Sequence, residues 1–201
     1  SQCVNYVSCH DNHTLWDKLK ISNPDASEAD RIRMDQLAQT IVLTSQGVPF
    51  LHAGAELLRT KEGADNSYNL PDGVNQIDWT RKARYREVFD YYRDLVQLRT
   101  NHPAFRMPTT KLIQRNLRFL NSMPELTVGY ELNGTAVGDP WRRIVVLFNG
   151  SFHDRRVTIP DGNWVVVLDD QQVRERGIRK NASRTFAHIK PHSALILVDD
   201  L

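Results

Sequence analysis

Histidine and aspartate stand side by side at His10-Asp11, followed by Asn12 and His13, directly after the β-prone run Val4 to Ser8. A carboxylate at the end of a strand can hold hydroxyl groups or stabilise positive charge in an oxocarbenium-like transition state. A neighbouring imidazole can donate hydrogen bonds to the same ligand. Read alone, the dipeptide is also an ordinary loop start, with Asp11 and Asn12 as turn residues. A metal site at His10, Asp11 and His13 rests on local spacing only. Glu56 is a second acid just past a strand end; it could pair with Asp11 or simply hold its own loop.

These groups need a scaffold, and composition bounds what it can be. The chain has 201 residues, 26 Lys plus Arg against 24 Asp plus Glu, and a net charge of +2. That balance gives no electrostatic case for nucleic acid or for an anionic membrane as partner. Hydrophobic residues at 40% and charged residues at 25% are ordinary for a globular protein and exclude a disordered one. The strongly apolar stretches Ile144 to Phe148 and Ala194 to Val198 are too short to span a bilayer. Cys3 and Cys9 lie on one predicted strand about 20 Å apart, too far for a disulfide within it. No Cys/His pair stands at zinc-ligand spacing, and no run of aspartates forms a calcium loop, so no cofactor is expected. Ser1 to Lys20 lacks a basic start followed by an apolar core, and the chain opens without Met. Localisation is therefore left open between the cytoplasm and secretion.

The first half alternates strand and helix. After the Asn23-Pro24-Asp25 turn, Ser27 with Asp30 resembles a capping box. Met34, Leu37, Ala38, Ile41 and Val42 then recur at helical spacing, with Gly47 as the C′ residue. Val48 to Ala53 reads as a strand, and Glu56 to Asp78 as a polar loop long enough to be functional. A second helix is predicted from Lys82 to Arg99, burying Tyr85, Val88, Phe89, Tyr92 and Val96 and ended by Pro103. Beyond Pro108 the pattern changes to short strands at Leu126 to Leu132, Arg143 to Phe148, Trp164 to Leu168, Phe186 to Ile189 and Ala194 to Val198. Turn signals such as Asn133-Gly134 and Asn149-Gly150 separate them, the spacing of a small antiparallel β-sandwich. Two strand–helix units cannot make a parallel sheet covered on both faces, so the first half reads as incomplete.

The string Tyr6-Val7-Ser8-Cys9-His10-Asp11-Asn12-His13-Thr14-Leu15-Trp16-Asp17-Lys18 resembles the last signature region of the α-amylase family of glycoside hydrolases, at barrel strand 7. Its Thr-Leu-Trp-Asp-Lys extension narrows the resemblance to the type I pullulanases. Three further strings agree in order: Leu37 to Gly54; Arg59-Thr60-Lys61 with Asn66-Ser67-Tyr68 and Asn75-Gln76-Ile77-Asp78-Trp79; and Leu98-Arg99 with His102-Pro103-Ala104-Phe105. The sequence departs from the pattern at Ala55 and Leu57, where relatives commonly carry Glu or Gln and Phe, and at Cys9.

The resemblance implies an α/β plus all-β fold: residues 1–107 as the last two strand–helix units of a TIM (β/α)8 barrel, and 108–201 as an antiparallel β-sandwich. It implies a retaining hydrolase of α-1,6-glucosidic bonds in pullulan, branched dextrins and glycogen. Asp11 would be the transition-state-stabilising acid. His10 would bind the sugar at the cleaved bond, Asn12 would also bind substrate, and Asp72 and Asn75 would bind the next sugar. The nucleophile and the acid/base of such an enzyme follow strands absent from this sequence, so the segment alone is expected to be inactive. Its partners would be the glucan and the remainder of its own barrel; calcium is conceivable only for a longer parent. Asp72 and Asn75 also read as plain turn residues of Pro71-Asp72-Gly73. Trp16, Trp79 and Trp141 could stack on sugar faces or simply be buried. A different class of function, a stand-alone non-catalytic glucan-binding or accessory module, stays open on the sequence.

Overall fold

The computed structural model describes residues 3–170 and 172–199. Two strands, β1 (Val4–Asn5) and β2 (Val48–Pro49), pair in parallel, with Val4 opposite Val48. Both are shorter than the sequence predicts. Among the described residues they pair only with each other, so the extended chain to Ser8 and Ala53 has no ladder to join. Cys3 and Cys9 are free thiols.

Two helices connect the strands. Thr14 caps α1 (Leu15–Ser22) by accepting from the Asp17 N–H at 3.1 Å. Ser27 caps α2 (Glu28–Thr44) as predicted. Its hydroxyl accepts from the Asp30 N–H at 3.0 Å and donates to the Asp30 carboxylate at 2.6 Å. The far end differs from expectation, because α2 stops at Thr44 and Ser45 is its C-cap. Gly47 lies two residues further on, with φ +103°. It serves the strand pair: a Cβ there would meet the Cys3 carbonyl oxygen at 2.7 Å.

The α2 end is instead held by Arg99. Its buried guanidinium donates to the carbonyls of Leu43, Ser45 and Gly47 at 2.7–2.8 Å, which satisfies orphan acceptors and fixes the entry into β2. Burial of α2 also departs from the predicted stripe. Met34, Leu37, Val42 and Leu43 are buried, but so are Asp35, Gln36, Gln39, Thr40 and Thr44, while Ile41 is exposed. Packing on two sides, against a later helix and against a strand of the main sheet, covers polar faces that a one-sided helix would leave in water.

After β2 come a 3-10 turn (Ala55–Leu57) and the one-turn helix α3 (Asp72–Asn75). The single predicted helix of 82–99 is two, α4 (Arg81–Arg84) and α5 (Arg86–Asn101), broken at Tyr85 where φ is −114° and ψ 43°. The face of α5 that is buried runs through Val88, Tyr91, Tyr92, Leu95, Leu98 and Arg99. Phe89 is half-buried and Val96 exposed, a rotation of the predicted face. Pro103 opens a 3-10 turn (Pro103–Arg106) just after the helix end.

The chain then enters α6 (Thr110–Asn116) and β3 (Leu117–Phe119), neither of which the sequence reading contained. The predicted strands follow as β4 (Thr127–Asn133), β5 (Arg143–Asn149), β7 (Trp164–Leu168), β9 (Phe186–Ile189) and β10 (Ser193–Asp199). Two missed strands, β6 (Arg155–Thr158) and β8 (Arg179–Lys180), are short and rich in Arg and Lys. A six-stranded sheet in the order β3-β4-β5-β10-β7-β8 has antiparallel neighbours throughout, and β6 with β9 forms a separate ribbon.

Through β5 and β10 the sheet is buried on both faces. Ile144, Val146, Phe148, Ala194, Ile196 and Val198 join one core with Leu95, Leu98 and Phe105 of the helical part. Val145, Leu147, Leu195 and Leu197 form the other core with Val157, Ala187 and Ile189 of the ribbon. Strands covered on both sides need apolar residues at every position, which is why β5 and β10 read as unbroken hydrophobic runs. Among the described residues no helix is long and apolar enough to cross a membrane.

Candidate functional site

Because β1 and β2 are parallel, the loops that follow them leave on the same side. The first carries His10, Asp11 and Asn12. Asn12 adopts φ +65°, a left-handed conformation that Asn tolerates, and its side-chain carbonyl accepts from the His13 N–H at 2.9 Å. That tight turn presents Asp11 outward. The Asp11 and His10 side chains are 83% and 85% exposed, and their Oδ1 and Nε2 atoms are 3.6 Å apart.

The second loop is tied to the first by groups the sequence reading did not single out. Asp17, buried in the first turn of α1, accepts from the Thr60 hydroxyl at 2.5 Å and the Lys61 N–H at 2.7 Å. Lys61 is buried too, and its ammonium donates to the His10 carbonyl at 3.2 Å. The backbone under His10 and Asp11 is thus fixed from the loop after β2. Both Asp17 and the Arg59-Thr60-Lys61 run stood inside the motif strings; only their pairing across the two loops was hidden.

Arg59 organises the rest. Its guanidinium donates to the Ala53 carbonyl at 3.2 Å, lies 3.4 Å from His52 Nε2, and also bonds the Asn75 carbonyl. Gly54, at φ +90°, gives its stem room: a Cβ would meet Arg59 Cδ at 2.9 Å. His52 is half-buried. Burial first, and then the charges of Arg59, Lys61 and His10, hold its imidazole below the ordinary histidine range. The ring thus lies beside an exposed histidine and two cations that disfavour its protonation. Glu56 turns back to accept from the Gly54 N–H at 3.1 Å.

Asp72 is exposed at the start of α3. Asn75 is engaged in its own loop: its amide donates to the carbonyls of Ser67 and Leu70 at 2.7 and 3.0 Å, and its oxygen accepts from the Ser67 hydroxyl at 2.8 Å. Of the three tryptophans weighed as stacking platforms, Trp16 and Trp141 are buried in the core and Trp79 is 65% exposed. Trp141 stacks on the His102 ring at 3.4 Å.

Beneath the loops sits Asp35 of α2, a buried carboxyl that faces a small cavity of about 10 Å³ shared with Ser8, Thr14, Trp16 and His52. The Tyr92 hydroxyl donates to it. Burial pushes the Asp35 carboxyl up to about 7, against the lowering effect of that hydrogen bond. Among the described residues no cluster of three or more His, Cys, Asp or Glu side chains could hold a metal ion. The His10, Asp11 and His13 reading therefore finds no support in the geometry. What the arrangement offers is an exposed carboxylate and imidazole, on a backbone locked from below, facing open space.

Comparison with known proteins gives this geometry a context. Residues 113–172 match the family model described as "Pullulanase, all-beta domain". The chain is 42% identical to the pullulanase of Bacillus subtilis (strain 168) over 151 residues, which is 75% of this chain and 21% of that protein. In structure it resembles a pullulanase from Bacillus acidopullulyticus, with a TM-score of 0.93, 46% identity and 98% of this chain covered against 24% of that one. A pullulanase from Anoxybacillus sp. LM18-11 in complex with maltotetraose gives a TM-score of 0.89 at 40% identity, covering 99% of this chain and 28% of that one. The chain is therefore a homologue of the pullulanases, spanning between 21% and 28% of the length of these relatives.

Proposed function

We propose that this chain is the C-terminal part of a debranching glycoside hydrolase that cleaves α-1,6-glucosidic bonds with retention. Residues 1–107 supply the last two strand–helix units of its (β/α)8 barrel, and 108–201 form its terminal β-sandwich. The observation that carries the reading is the pair of parallel strands whose following loops converge on an exposed His10-Asp11, since barrel enzymes build their sites on that side of the strands. The 40–46% identity to pullulanases, one of them in complex with maltotetraose, supports an α-glucan as ligand.

In this reading the chemistry divides between this segment and the strands before it. A retaining hydrolase needs two carboxyl groups about 5 Å apart, one to attack and one to protonate the leaving oxygen. Both lie upstream. Asp11 stabilises the positive charge that spreads over the ring oxygen and anomeric carbon as the bond breaks, and it holds hydroxyls of the same sugar. His10 donates to that sugar, with Asn12 shaping the turn and offering its amide. Asp72 meets the adjacent sugar. Asn75 holds the loop that carries Asp72, a positioning role that its three internal hydrogen bonds support.

The test is hydrolysis by the protein at the length found in its source. Reducing ends should be released from pullulan and not from a linear α-1,4-glucan, and proton NMR should show the α-anomer forming first. Release from the linear glucan alone, or the β-anomer first, would remove the reading. Glucan binding without any hydrolysis would favour an accessory module instead.

A further inference from the structure

A second feature lies far along the chain from His10-Asp11, where α6, β3, β4 and the start of β5 meet. A cleft of about 470 Å³ opens there, within the size range of small-ligand sites. Its walls carry four guanidinium groups, Arg115, Arg118, Arg142 and Arg143. The only acid lining it, among the described residues, is Glu131.

The strand register explains how these side chains gather. Arg118 of β3 is opposite Glu131 of β4, and Asn133 of β4 is opposite Arg143 of β5. Side chains two apart on a strand share a face, so Arg118, Glu131, Asn133 and Arg143 all project to one side of the sheet. That is the side which the β6–β9 ribbon covers further along β5, at Val145 and Leu147, and leaves open here. Arg115 reaches in from the last turn of α6.

Two of the four cations are held rigid. Arg143 donates from Nε to Glu131 at 2.7 Å and from Nη1 to the Asp161 carbonyl at 3.0 Å and Asp199 at 3.3 Å, and it lies over the Trp164 ring. Arg142 bonds Asp199 at 3.1 Å. The side chains of Arg115 and Arg118 make no ion pair or hydrogen bond to any described residue and are exposed. Four guanidinium groups against the carboxylates of Glu131 and Asp199 leave an excess of two positive charges in one concavity, in a chain whose whole net charge is +2. Two unengaged guanidinium forks beside two cations held by their own partners suit a compact dianion that can take paired hydrogen bonds, rather than a neutral sugar.

We propose that the Arg115–Arg118–Arg143 cleft binds a phosphate monoester or inorganic phosphate, at a site separate from the glucan site. Arg115 and Arg118 close over the dianion with their unengaged guanidinium forks, Arg143 adds positive charge from a fixed position because its Nε and Nη1 are committed to Glu131, Asp161 and Asp199, and Asn133 and Thr135 supply neutral hydrogen bonds. Isothermal titration on the protein at its source length, at low ionic strength, would measure inorganic phosphate, glucose 6-phosphate and glucose as separate arms. Saturable binding of the two phosphates and none of glucose is expected. Equal affinity for both would assign the site to phosphate itself, and tighter glucose 6-phosphate would assign it to a phosphorylated sugar.

The double variant R115A/R118A should weaken phosphate binding by about tenfold or more with an unchanged Tm, because both side chains are exposed and charge-assisted bonds to phosphate are lost. Removing an exposed pair elsewhere, K82A/R84A on α4, should leave the affinity as it was. Absence of phosphate binding, binding of glucose in its place, or equal weakening by both double variants would overturn the proposal.

Discussion

Asp11 and Asp35 are carboxyl groups under opposite constraints. Asp11 stands in water at a loop tip, so removing its charge costs the fold little. Asp11→Asn in the source-length protein should lower turnover on pullulan by orders of magnitude while Tm hardly moves; near-normal turnover would end its assigned role. Asp35 is sealed beneath the loops, and its carboxyl is raised to about 7. An acid whose folded value lies above its unfolded one near 3.9 favours the fold only while protonated. Its contribution is complete below pH 4 and disappears as pH rises through 7. Asp35→Asn removes that titration and keeps an oxygen for the Tyr92 hydroxyl. The variant should gain on the wild type, by a few kcal/mol at most, in denaturant unfolding at pH 8 compared with pH 5. Parallel pH profiles for the two proteins would contradict a titrating Asp35. At this scale the sequence was half informative. His10-Asp11 was legible because two chemically useful side chains adjoin in one string. Asp17 and Asp35 were not, because their partners lie 43 to 57 residues away and only the fold supplies them, and neither was His52, whose surroundings join Arg59 and Lys61 to His10 of the other loop.

Among the elements, α2 and its C-terminal clamp matter most to the site. The Arg99 guanidinium bonds three carbonyls at the α2 end with no carboxylate partner among the described residues, and burial holds it below its ordinary value. Arg99→Met keeps the packing stem but strands those acceptors, so a loss of about 3 kcal/mol in unfolding free energy is expected. Arg99→Lys, with one ammonium in place of a fork, should recover only part of it. A loss below 1 kcal/mol for Arg99→Met would mean that water can replace the clamp. Elements with a single local signal were predicted well: the Ser27 cap, the doubly buried β5 and β10, and β7 between its turns. Those that depend on neighbours were not. β1 and β2 shrink because a strand is defined by its pairing. α4 and α5 separate at Tyr85, a backbone break at φ −114° and ψ 43° that leaves the ring on the buried face and so leaves no mark in the helical spacing. β6 and β8 are short and carry Arg and Lys, so periodicity passes over them.

At the scale of the molecule, the two halves are unequally complete. The central strands of the six-stranded sheet are covered on both faces, whereas the β1–β2 pair leaves Val4, Tyr6, Val48 and Phe50 exposed with open strand edges among the described residues. Such an edge recruits any strand it meets. The 201-residue chain on its own should therefore self-associate in analytical ultracentrifugation and show no hydrolysis of pullulan. A monomer that melts cooperatively would show that the pair needs no further strands. The central claim is that this chain is one portion of a debranching hydrolase whose two reacting carboxyl groups lie upstream, and it makes one prediction that needs no mutation. Intact-mass spectrometry of the polypeptide carrying this sequence in its source should give several times the 23.2 kDa of the chain. A mass near 23.2 kDa would contradict the account and leave binding, not hydrolysis, as the function to be sought.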